Sequence, residues 1–293
     1  MNTTIPRHEP AFPTLPTILK VTSQDLVLDC TLGDGGHTQK CLESGAKVIS
    51  FDCDEEAIER SKQFIPSTLQ SNWFPVRENF ANLNSVFIAQ KFPSPTVVIM
   101  DLGTSQFQLA CAKRGFSFRL DAPLDMRLDN RLGVTAADLV NALPEKELAK
   151  LFVELGDESY AGVIAKNIAK RRLVTPFKNT LELADLVKSV KHSYTRIHEA
   201  TKVFQSLRMA VNLELESLLS GLTEAFELLE AHGRMAVISF HSGEDRIVKK
   251  FFKQLVKSNL ATLLSKKYQK PSTYELLVNP KIRSAKLRTI EKN

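Results

Sequence analysis

The sequence is poor in cysteine, and this limits the kinds of framework it can use. Its 293 residues include four cysteines, Cys30, Cys41, Cys53 and Cys111, and none of them form a C-x-x-C pair. No group of cysteines and histidines has the spacing of zinc ligands, so we expect no metal site. So few thiols in so long a chain also disfavour a disulfide framework and favour reduced cysteines in a cytoplasmic protein.

Long apolar runs are absent as well. No stretch approaches the roughly 20 residues that span a bilayer, and Met1–Lys20 lacks the apolar segment of a secretory signal peptide. We therefore expect no membrane attachment. Hydrophobic residues still make up 43% of the chain, which predicts one large α/β domain with a smaller attachment.

Positive charge is concentrated near the C-terminus. The net charge of the chain is +6, but Arg246–Asn293 alone contains 13 Lys/Arg and only two acidic residues. The remainder of the chain is therefore net negative. A local basic segment favours a polyanionic partner such as a nucleic acid, and a solvated lysine-rich surface is the alternative that charge alone leaves open.

Four short runs rich in β-branched residues predict the strands of a buried sheet. They are Leu26–Asp29, Lys47–Phe51, Thr96–Met100 and Arg234–Phe240. Their apolar residues do not alternate with polar ones, which is typical of parallel strands covered on both faces. Trp73–Val76 is a weaker candidate, and helical patterns such as Glu55–Phe64 separate the runs. The alternation predicts a doubly wound α/β sheet.

The alternation stops after Met100. From there to Arg234 the patterns are helical, at Pro144–Leu155, Glu158–Arg172, Asn179–Val190 and Ala200–Ala231. A helical domain of roughly 90 residues is therefore predicted to interrupt the α/β domain. Beyond the fourth strand, we expect a helix at Glu244–Lys257 and a late strand at Tyr274–Val278.

A glycine-rich segment, Asp29–His37, directly follows the first predicted strand and has the sequence DCTLGDGGH. Ligands of open α/β sheets bind beyond the carboxyl ends of the strands, and glycines let the backbone approach them closely. The spacing G-x-G-G differs from the G-x-G-x-x-G of dinucleotide sites. Asp29 suits a cationic ligand better than a pyrophosphate. S-adenosylmethionine, with its ammonium and sulfonium groups, is therefore a candidate, and an ordinary glycine turn is the alternative.

Two aspartates after the second strand have different predicted roles. Asp52 is placed to accept two hydrogen bonds from a ribose diol, a feature that NAD and S-adenosylmethionine sites share. Asp54 precedes the helical pattern at Glu55 and is predicted to cap that helix.

Asp101 ends the third strong strand, where a residue can reach both a cofactor and a substrate. Downstream, Arg114–Arg119 (RGFSFR) and Pro123–Arg127 (PLDMR) combine arginines, aspartates and aromatic residues. Such residues hold phosphates and stack on bases. Packing inside the helical domain is the alternative for the aromatic residues.

The segment Ser239–Arg246 (SFHSGEDR) follows the fourth strand. His241 is its titratable candidate for catalysis. Ser242 is equally predicted to cap the following helix, whose first turn would contain Glu244 and Asp245. Both interpretations stay open.

Together these motifs resemble one family, the bacterial 16S (small-subunit) rRNA cytosine-N4 methyltransferases of the RsmH/MraW type. The resemblance extends from His8 to Arg288, and its most specific stretches are RGFSFRLDAPLDMR (114–127), FQSLRMAVNLEL (204–215) and VISFHSGEDRIVK (237–249). It implies a Rossmann-like class I methyltransferase sheet with an inserted all-helical domain. We expect the methyltransferase domain at 1–112 and 205–293, and a helical substrate-recognition domain at 113–204.

The resemblance also implies an activity and a set of site residues. The enzyme would transfer a methyl group from S-adenosylmethionine to the N4 amino group of a cytidine in 16S rRNA, in the decoding region of the small ribosomal subunit. The cofactor contacts carried over are Gly35, Gly36, His37, Asp52, Phe80, Asp101 and Gln108. Asp101 is the first candidate for catalysis, and His241 and Ser239 are the second. Candidates for RNA contacts are Arg114, Arg119, Arg127 and the basic C-terminal segment. Both a monomer and a homodimer remain open.

Three other functions are alternatives. One is a non-catalytic RNA-binding or ribosome-assembly protein with a vestigial cofactor site, which the intact glycine segment disfavours. Another is a methyltransferase acting on DNA or protein, but amino-directed DNA enzymes usually have a D-P-P-Y motif where this chain has DLGT at Asp101–Thr104. The third is an NAD oxidoreductase, which the glycine spacing disfavours.

Overall fold

The chain divides into two compact units. The computed structural model describes residues 10–111, 113–191 and 198–293, so His8 and Glu9 of the resemblance lie outside the described residues. The first unit comprises the chain up to Ser105 and from Leu215 onward, and the second is Gln106–Glu214.

The second unit is therefore larger than the helical domain expected at 113–204, because it begins at 106 and ends at 214. The physical reason is visible at the C-terminal boundary. Phe204, Leu207 and Val211 are buried in the apolar core of the second unit, so the helix that contains them belongs to that unit.

The first unit contains a seven-stranded sheet. Its strands are β1 (Leu26–Asp29), β2 (Lys47–Asp52), β3 (Trp73–Arg77), β4 (Val97–Asp101), β5 (Arg234–Ser239), β6 (Ala261–Leu263) and β7 (Lys286–Lys292). They lie in the order β3-β2-β1-β4-β5-β7-β6. Strands β1 to β5 are parallel, and β7 is antiparallel to both of its neighbours. The expected Rossmann-like α/β sheet is confirmed.

The helices of the described residues alternate with these strands and fill the second unit. They are α1 (Leu15–Ile18), α2 (Gly36–Glu43), α3 (Glu55–Phe64), α4 (Leu83–Gln90), α5 (Gln106–Ala110), α6 (Ala136–Ala142), α7 (Glu145–Gly156), α8 (Ala161–Arg172), α9 (Thr180–Val190), α10 (Thr201–Val211), α11 (Glu214–Leu228), α12 (Ser242–Lys257) and α13 (Thr273–Val278). In the described part of the chain, none of them is both long and apolar enough to cross a membrane.

Both faces of the sheet are covered, as the continuous apolar strands predicted. Side chains of a strand point alternately to opposite faces. Leu28 and Met100 accordingly pack into one core of the first unit, and Val27 and Ile99 pack into the other. All four are fully buried, which explains why the strands contain no polar alternation.

One predicted strand is wrong. Tyr274–Val278 belongs to α13, which begins after Ser272 in a reciprocal capping arrangement. The Ser272 hydroxyl accepts from the Glu275 N–H at 3.2 Å, and the Glu275 carboxylate accepts from the Ser272 N–H at 2.6 Å. This S-x-x-E signature stabilises a helix start. The late strands are instead β6 and β7.

The described secondary structure of the second unit is helical apart from one isolated β-bridge, between Pro123 and Asn179. The core of this unit includes the fully buried Phe152, Ile164 and Val187 from α7, α8 and α9. The long helical stretch expected from Ala200 to Ala231 is two helices, because the chain breaks between α10 and α11. Leu213 at the break has a left-handed φ of 48°, which a helix does not accommodate.

Candidate active site

A tight turn with two left-handed glycines joins β1 to α2. Gly33 has φ 54° and Gly35 has φ 73°, a region that side chains with a Cβ rarely adopt. Gly36 is glycine for another reason, since a Cβ there would lie 3.0 Å from the Pro10 ring. The segment predicted as a ligand loop therefore favours glycine at these positions, for its backbone conformation at Gly33 and Gly35 and for close packing at Gly36.

A buried polar network supports this turn. Asp29 is fully buried, and its carboxylate accepts hydrogen bonds from the Thr31 N–H at 3.1 Å and the Thr38 hydroxyl at 2.7 Å. The Thr38 and Ser50 hydroxyls are 2.7 Å apart, and the Trp73 indole donates to Ser50 at 3.1 Å. Burial raises the pKa of Asp29. The network as a whole joins β1, α2, β2 and β3, and Asp29 connects it to the loop at Thr31.

The two threonines of this network were not among the residues predicted from the sequence. A signal for Thr31 was present, because an aspartate often accepts from the backbone N–H two residues later. Thr31 also accepts from the Asp101 N–H at 2.6 Å, so it links the ends of β1 and β4. Thr38 had no comparable local signal, since its partners come from other strands.

Asp52 ties the end of β2 to the glycine turn. One oxygen of its carboxylate accepts from the Gly33 N–H at 2.9 Å, and the other accepts from the Asp54 N–H at 2.8 Å. Burial raises the pKa of Asp52 to about 7, against the opposing effect of these two hydrogen bonds. Asp54 accepts from the Glu56 N–H at 3.1 Å, so its predicted capping role is confirmed.

His37 and Asp101 form a close pair at the carboxyl end of β4. The Nε2 atom of His37 lies 3.3 Å from Oδ2 of Asp101, and the histidine side chain is 4% exposed against 20% for the aspartate. Burial by itself lowers the pKa of His37, but Asp101 raises it above its usual value, with a smaller contribution from Asp29. Oδ1 of Asp101 and Nδ1 of His37 are buried and have no hydrogen-bond partner among the described residues.

Phe80 lies in a 3-10 turn, Phe80–Asn82, shortly after β3. Its half-buried ring packs against the core of the first unit. Gly221 of α11 faces it so closely that a Cβ there would lie 2.3 Å from Cδ2 of the ring. The position of the ring therefore depends on a glycine that sequence analysis had no reason to select.

Most of the carried-over cofactor residues share one edge of the sheet. Asp29, Asp52 and Asp101 end neighbouring parallel strands, whose carboxyl ends lie at the same edge. Six of the residues belong to this edge of the first unit: Gly35, Gly36, His37, Asp52, Phe80 and Asp101. Gln108 belongs to the second unit, where it is buried in α5. No described group of His, Cys, Asp and Glu side chains could hold a metal ion.

His241 is the cap of α12, and the prediction that Ser242 caps this helix is wrong by one residue. Nδ1 of His241 accepts from the Glu244 N–H at 3.4 Å, and its Nε2 lies 2.9 Å from Oε1 of the same residue. The Glu244 carboxylate in turn accepts from the Phe240 N–H at 2.8 Å. The imidazole takes the acceptor role that a serine hydroxyl would otherwise have. Ser239, the other second-rank candidate, is buried.

The three candidate RNA-binding arginines lie in the second unit in different settings. Nη2 of Arg114 donates to the carbonyl oxygens of Arg127 and Leu128, both at 2.7 Å. Arg127 forms a two-pronged contact with Asp125 at 2.8 Å. Arg119 is exposed. Two of the three guanidinium groups are therefore part of the internal support of their own loop.

Curated relatives cover nearly the whole chain. A ribosomal RNA small subunit methyltransferase H from Syntrophotalea carbinolica is 42% identical over 289 residues, covering 92% of each chain. A protein of the same name from Gloeothece citriformis is 45% identical over 270 residues, covering 90% of this chain and 87% of that protein. A solved rRNA methylase from Streptococcus thermophilus aligns at 12% identity and TM-score 0.48, covering 99% of both chains.

The family assignment rests on these relatives and on a match to one protein family. Its description is MraW methylase family, and the match extends over residues 12–293. This span includes the glycine turn, the three strand-end aspartates and the second unit. The chain belongs to the MraW methylase family.

Proposed function

We propose that this methyltransferase transfers a methyl group from S-adenosylmethionine to the N4 amino group of a cytidine in the decoding region of 16S rRNA. The relatives are named for methylation of small-subunit ribosomal RNA. The observation that supports a catalytic role most directly is the His37–Asp101 pair, because it places an unpartnered carboxylate oxygen at the ligand-binding edge of the sheet. The reaction would take place in the cytoplasm, on rRNA or on an assembling small subunit.

S-adenosylmethionine is the methyl donor of this family and supplies a methyl group on a positively charged sulfur. The residues at the edge fit such a group. The glycines of the turn keep side chains out of the end of β1, and the buried orphan oxygen of Asp101 can accept a hydrogen bond from an amino group. Each Asp52 oxygen has a further lone pair for a ribose hydroxyl, and Phe80 offers a ring for adenine.

Asp101 has the role of orienting the target amino group. The amino nitrogen of cytosine is conjugated with the ring and is a poor nucleophile, so the enzyme must accept its hydrogens and hold it about 3–3.5 Å from the carbon that it attacks. Oδ1 of Asp101 is an acceptor without another partner in the described residues. Nε2 of His37 lies 3.3 Å from the other oxygen of the same carboxylate. A stacked base cannot reach such a site, so the cytidine must be flipped or presented in a loop.

The test is mass mapping of 16S rRNA combined with a methyl-transfer assay. A deletion strain should lack the methyl group on one cytidine, and the purified protein should restore it. Asp101→Asn should lower transfer by about 100-fold or more while S-adenosylmethionine still binds. Asp185→Asn, the same change on the exposed face of α9, is the control. The proposal would be refuted if the deletion strain kept every cytidine methyl group of its 16S rRNA. Binding of S-adenosylmethionine without any methyl transfer would favour a ribosome-assembly protein.

A further inference from the structure

The basic C-terminal segment contains cations that hold the fold together and cations that are exposed to solvent. Lys286 and Arg288 bind Asp245 at 3.0 and 2.8 Å. Lys292 donates to backbone carbonyls near the end of α11, including that of Leu229 at 2.6 Å. These three cations stabilise the fold of β7. The remaining positive charge of the segment lies on exposed side chains.

Five of the exposed cations form one stripe along α12. The basic stripe consists of Arg246, Lys249, Lys250, Lys253 and Lys257. Each member lies three or four residues from another member, which places all five on one helical face, and the stripe extends for about 16 Å. The opposite face is apolar and buries Val248 and Phe252 in the core.

No acidic side chain of α12 is available to neutralise the stripe. Glu244 participates in the cap with His241, and Asp245 binds Lys286 and Arg288. After Asp245 the next acidic residue in the chain is Glu275. Among the residues that the structure describes, no ion pair involves any of the five stripe cations. A helix with this charge distribution is suited to a polyanion.

A second group of exposed lysines lies beside the active edge of the sheet. The basic loop contains Lys266, Lys267 and Lys270 around Tyr268. Gln269 of this loop pairs with Leu287 of β7. The cations of Lys286 and Arg288 lie 5.2 and 5.4 Å from the centre of the Tyr268 ring, which fixes the loop against β7.

The strand register gives the distance between this loop and Asp101. Asp101 lies opposite Ile238, Ile238 opposite Leu287, and Leu287 opposite Gln269. Three inter-strand spacings correspond to about 14 Å. Helix α12 begins at the same edge, because it directly follows β5. Both basic groups therefore start within reach of nucleotides that flank a base at Asp101.

We propose that the basic stripe and the basic loop form a phosphate-binding face for the substrate RNA, located on the methyltransferase unit itself. The inference rests on the proposed function, because it takes a base at Asp101 as the reference point. Lysines dominate the face, and lysine binds a phosphate as a point charge without reading the base. The face therefore positions the strand around the target, and recognition of the target sequence lies elsewhere.

Charge removal with a matched control tests the face. The triple variant Lys249→Gln, Lys250→Gln, Lys253→Gln is compared with Lys20→Gln, Lys47→Gln, Lys91→Gln, whose exposed lysines lie near the opposite edge of the same sheet. The RNA substrate is the rRNA of small ribosomal subunits, which are isolated from the deletion strain and used as intact subunits. We expect the stripe variant to raise the KM for RNA about 10-fold or more and to reduce the salt slope by about 2, at about 0.7 per lost phosphate contact.

The readouts separate this proposal from the proposed function. Both triple variants should bind S-adenosylmethionine as the wild type does and should keep its kcat at saturating RNA. Equal KM values and equal salt slopes for the two triple variants would overturn the phosphate-binding face. In that case the proposed function would still stand, provided that the wild-type protein methylates the cytidine. Absence of cytidine methylation by the wild-type protein would instead refute the proposed function.

Discussion

Replacing Gly221 by alanine tests whether Phe80 holds the cofactor. The new Cβ would lie 2.3 Å from Cδ2 and 3.0 Å from Cε2 of the Phe80 ring. Carbon atoms in contact prefer about 3.5–4.0 Å, so the ring must move by about 1.2 Å or more. Such overpacking costs about 1–3 kcal/mol, and the better helix propensity of alanine offsets about 0.8–1.0 kcal/mol of it. The net loss of stability is about 0–2 kcal/mol.

The larger effect is expected on cofactor binding. An aromatic contact contributes about 0.5–1.5 kcal/mol beyond its buried area, so a displaced ring should weaken S-adenosylmethionine binding about 2- to 10-fold. Calorimetric titration gives the affinity, and a thermal melt gives the change in stability. Gly162→Ala is the control, because Gly162 lies in α8 of the second unit and a Cβ there meets nothing within 4 Å.

The two readouts can refute the reasoning separately. Unchanged cofactor affinity in Gly221→Ala, together with a lowered melting temperature, would show that the ring moves and does not contact the cofactor. An unchanged melting temperature and affinity would show that the packing between Gly221 and Phe80 is looser than the distances indicate. The Gly162→Ala control should match the wild type or exceed its stability by up to about 1 kcal/mol.

Three further predictions concern charged side chains. Burial raises the pKa of Asp52 to about 7, and only the ionised carboxylate accepts two ribose hydrogen bonds. The affinity for S-adenosylmethionine should therefore rise severalfold from pH 6 to pH 8. Asp52→Asn should abolish this pH dependence in a series of binding titrations. Arg114→Ala should lower the free energy of unfolding by about 1.5–3 kcal/mol, because two backbone carbonyls lose their donor. Arg119→Ala should leave stability unchanged and reduce the salt slope of RNA binding by about 1. The reverse pattern would contradict the internal role of Arg114. His241→Ala should cost about 1 kcal/mol through the lost cap, and His241→Asn, which retains a capping acceptor, should restore stability and near wild-type transfer; a slow but stable His241→Asn enzyme would show that the imidazole is catalytic.

The strands of the parallel sheet could be predicted because burial on both faces leaves an unmistakable sequence pattern. The runs that contain Val48 and Val98 are apolar without alternation, and few structures other than a covered parallel strand need such a run. Asp54 was predictable for a local reason, since a cap depends only on residues two or three positions away.

The errors arose where the deciding contacts are distant or the apolar run is short. A five-residue run such as Tyr274–Val278 fits a strand and a helix equally well, and the capping pair that decides the matter joins Glu275 within the run to Ser272 before it. The break at Leu213 is fixed by tertiary contacts. Asn212 donates to the Met126 carbonyl and accepts from the Leu128 N–H, more than 80 residues away.

The arginine-rich block shows that composition alone does not separate a polyanion site from the internal support of a loop. A guanidinium is a fixed fork that can satisfy two carbonyl oxygens at once, so an arginine in a loop is as suited to supporting that loop as to binding a phosphate. Arg114 and Arg127 have the internal contacts, and the sequence contains nothing that separates them from Arg119. The lysines of α12 differ, because their helical spacing places them opposite the buried face of the helix. The two acidic residues of α12 are engaged elsewhere, Glu244 with His241 and Asp245 with Lys286 and Arg288. We therefore expect the lysines of α12 to contribute more to the salt dependence of RNA binding than Arg114 and Arg127 do.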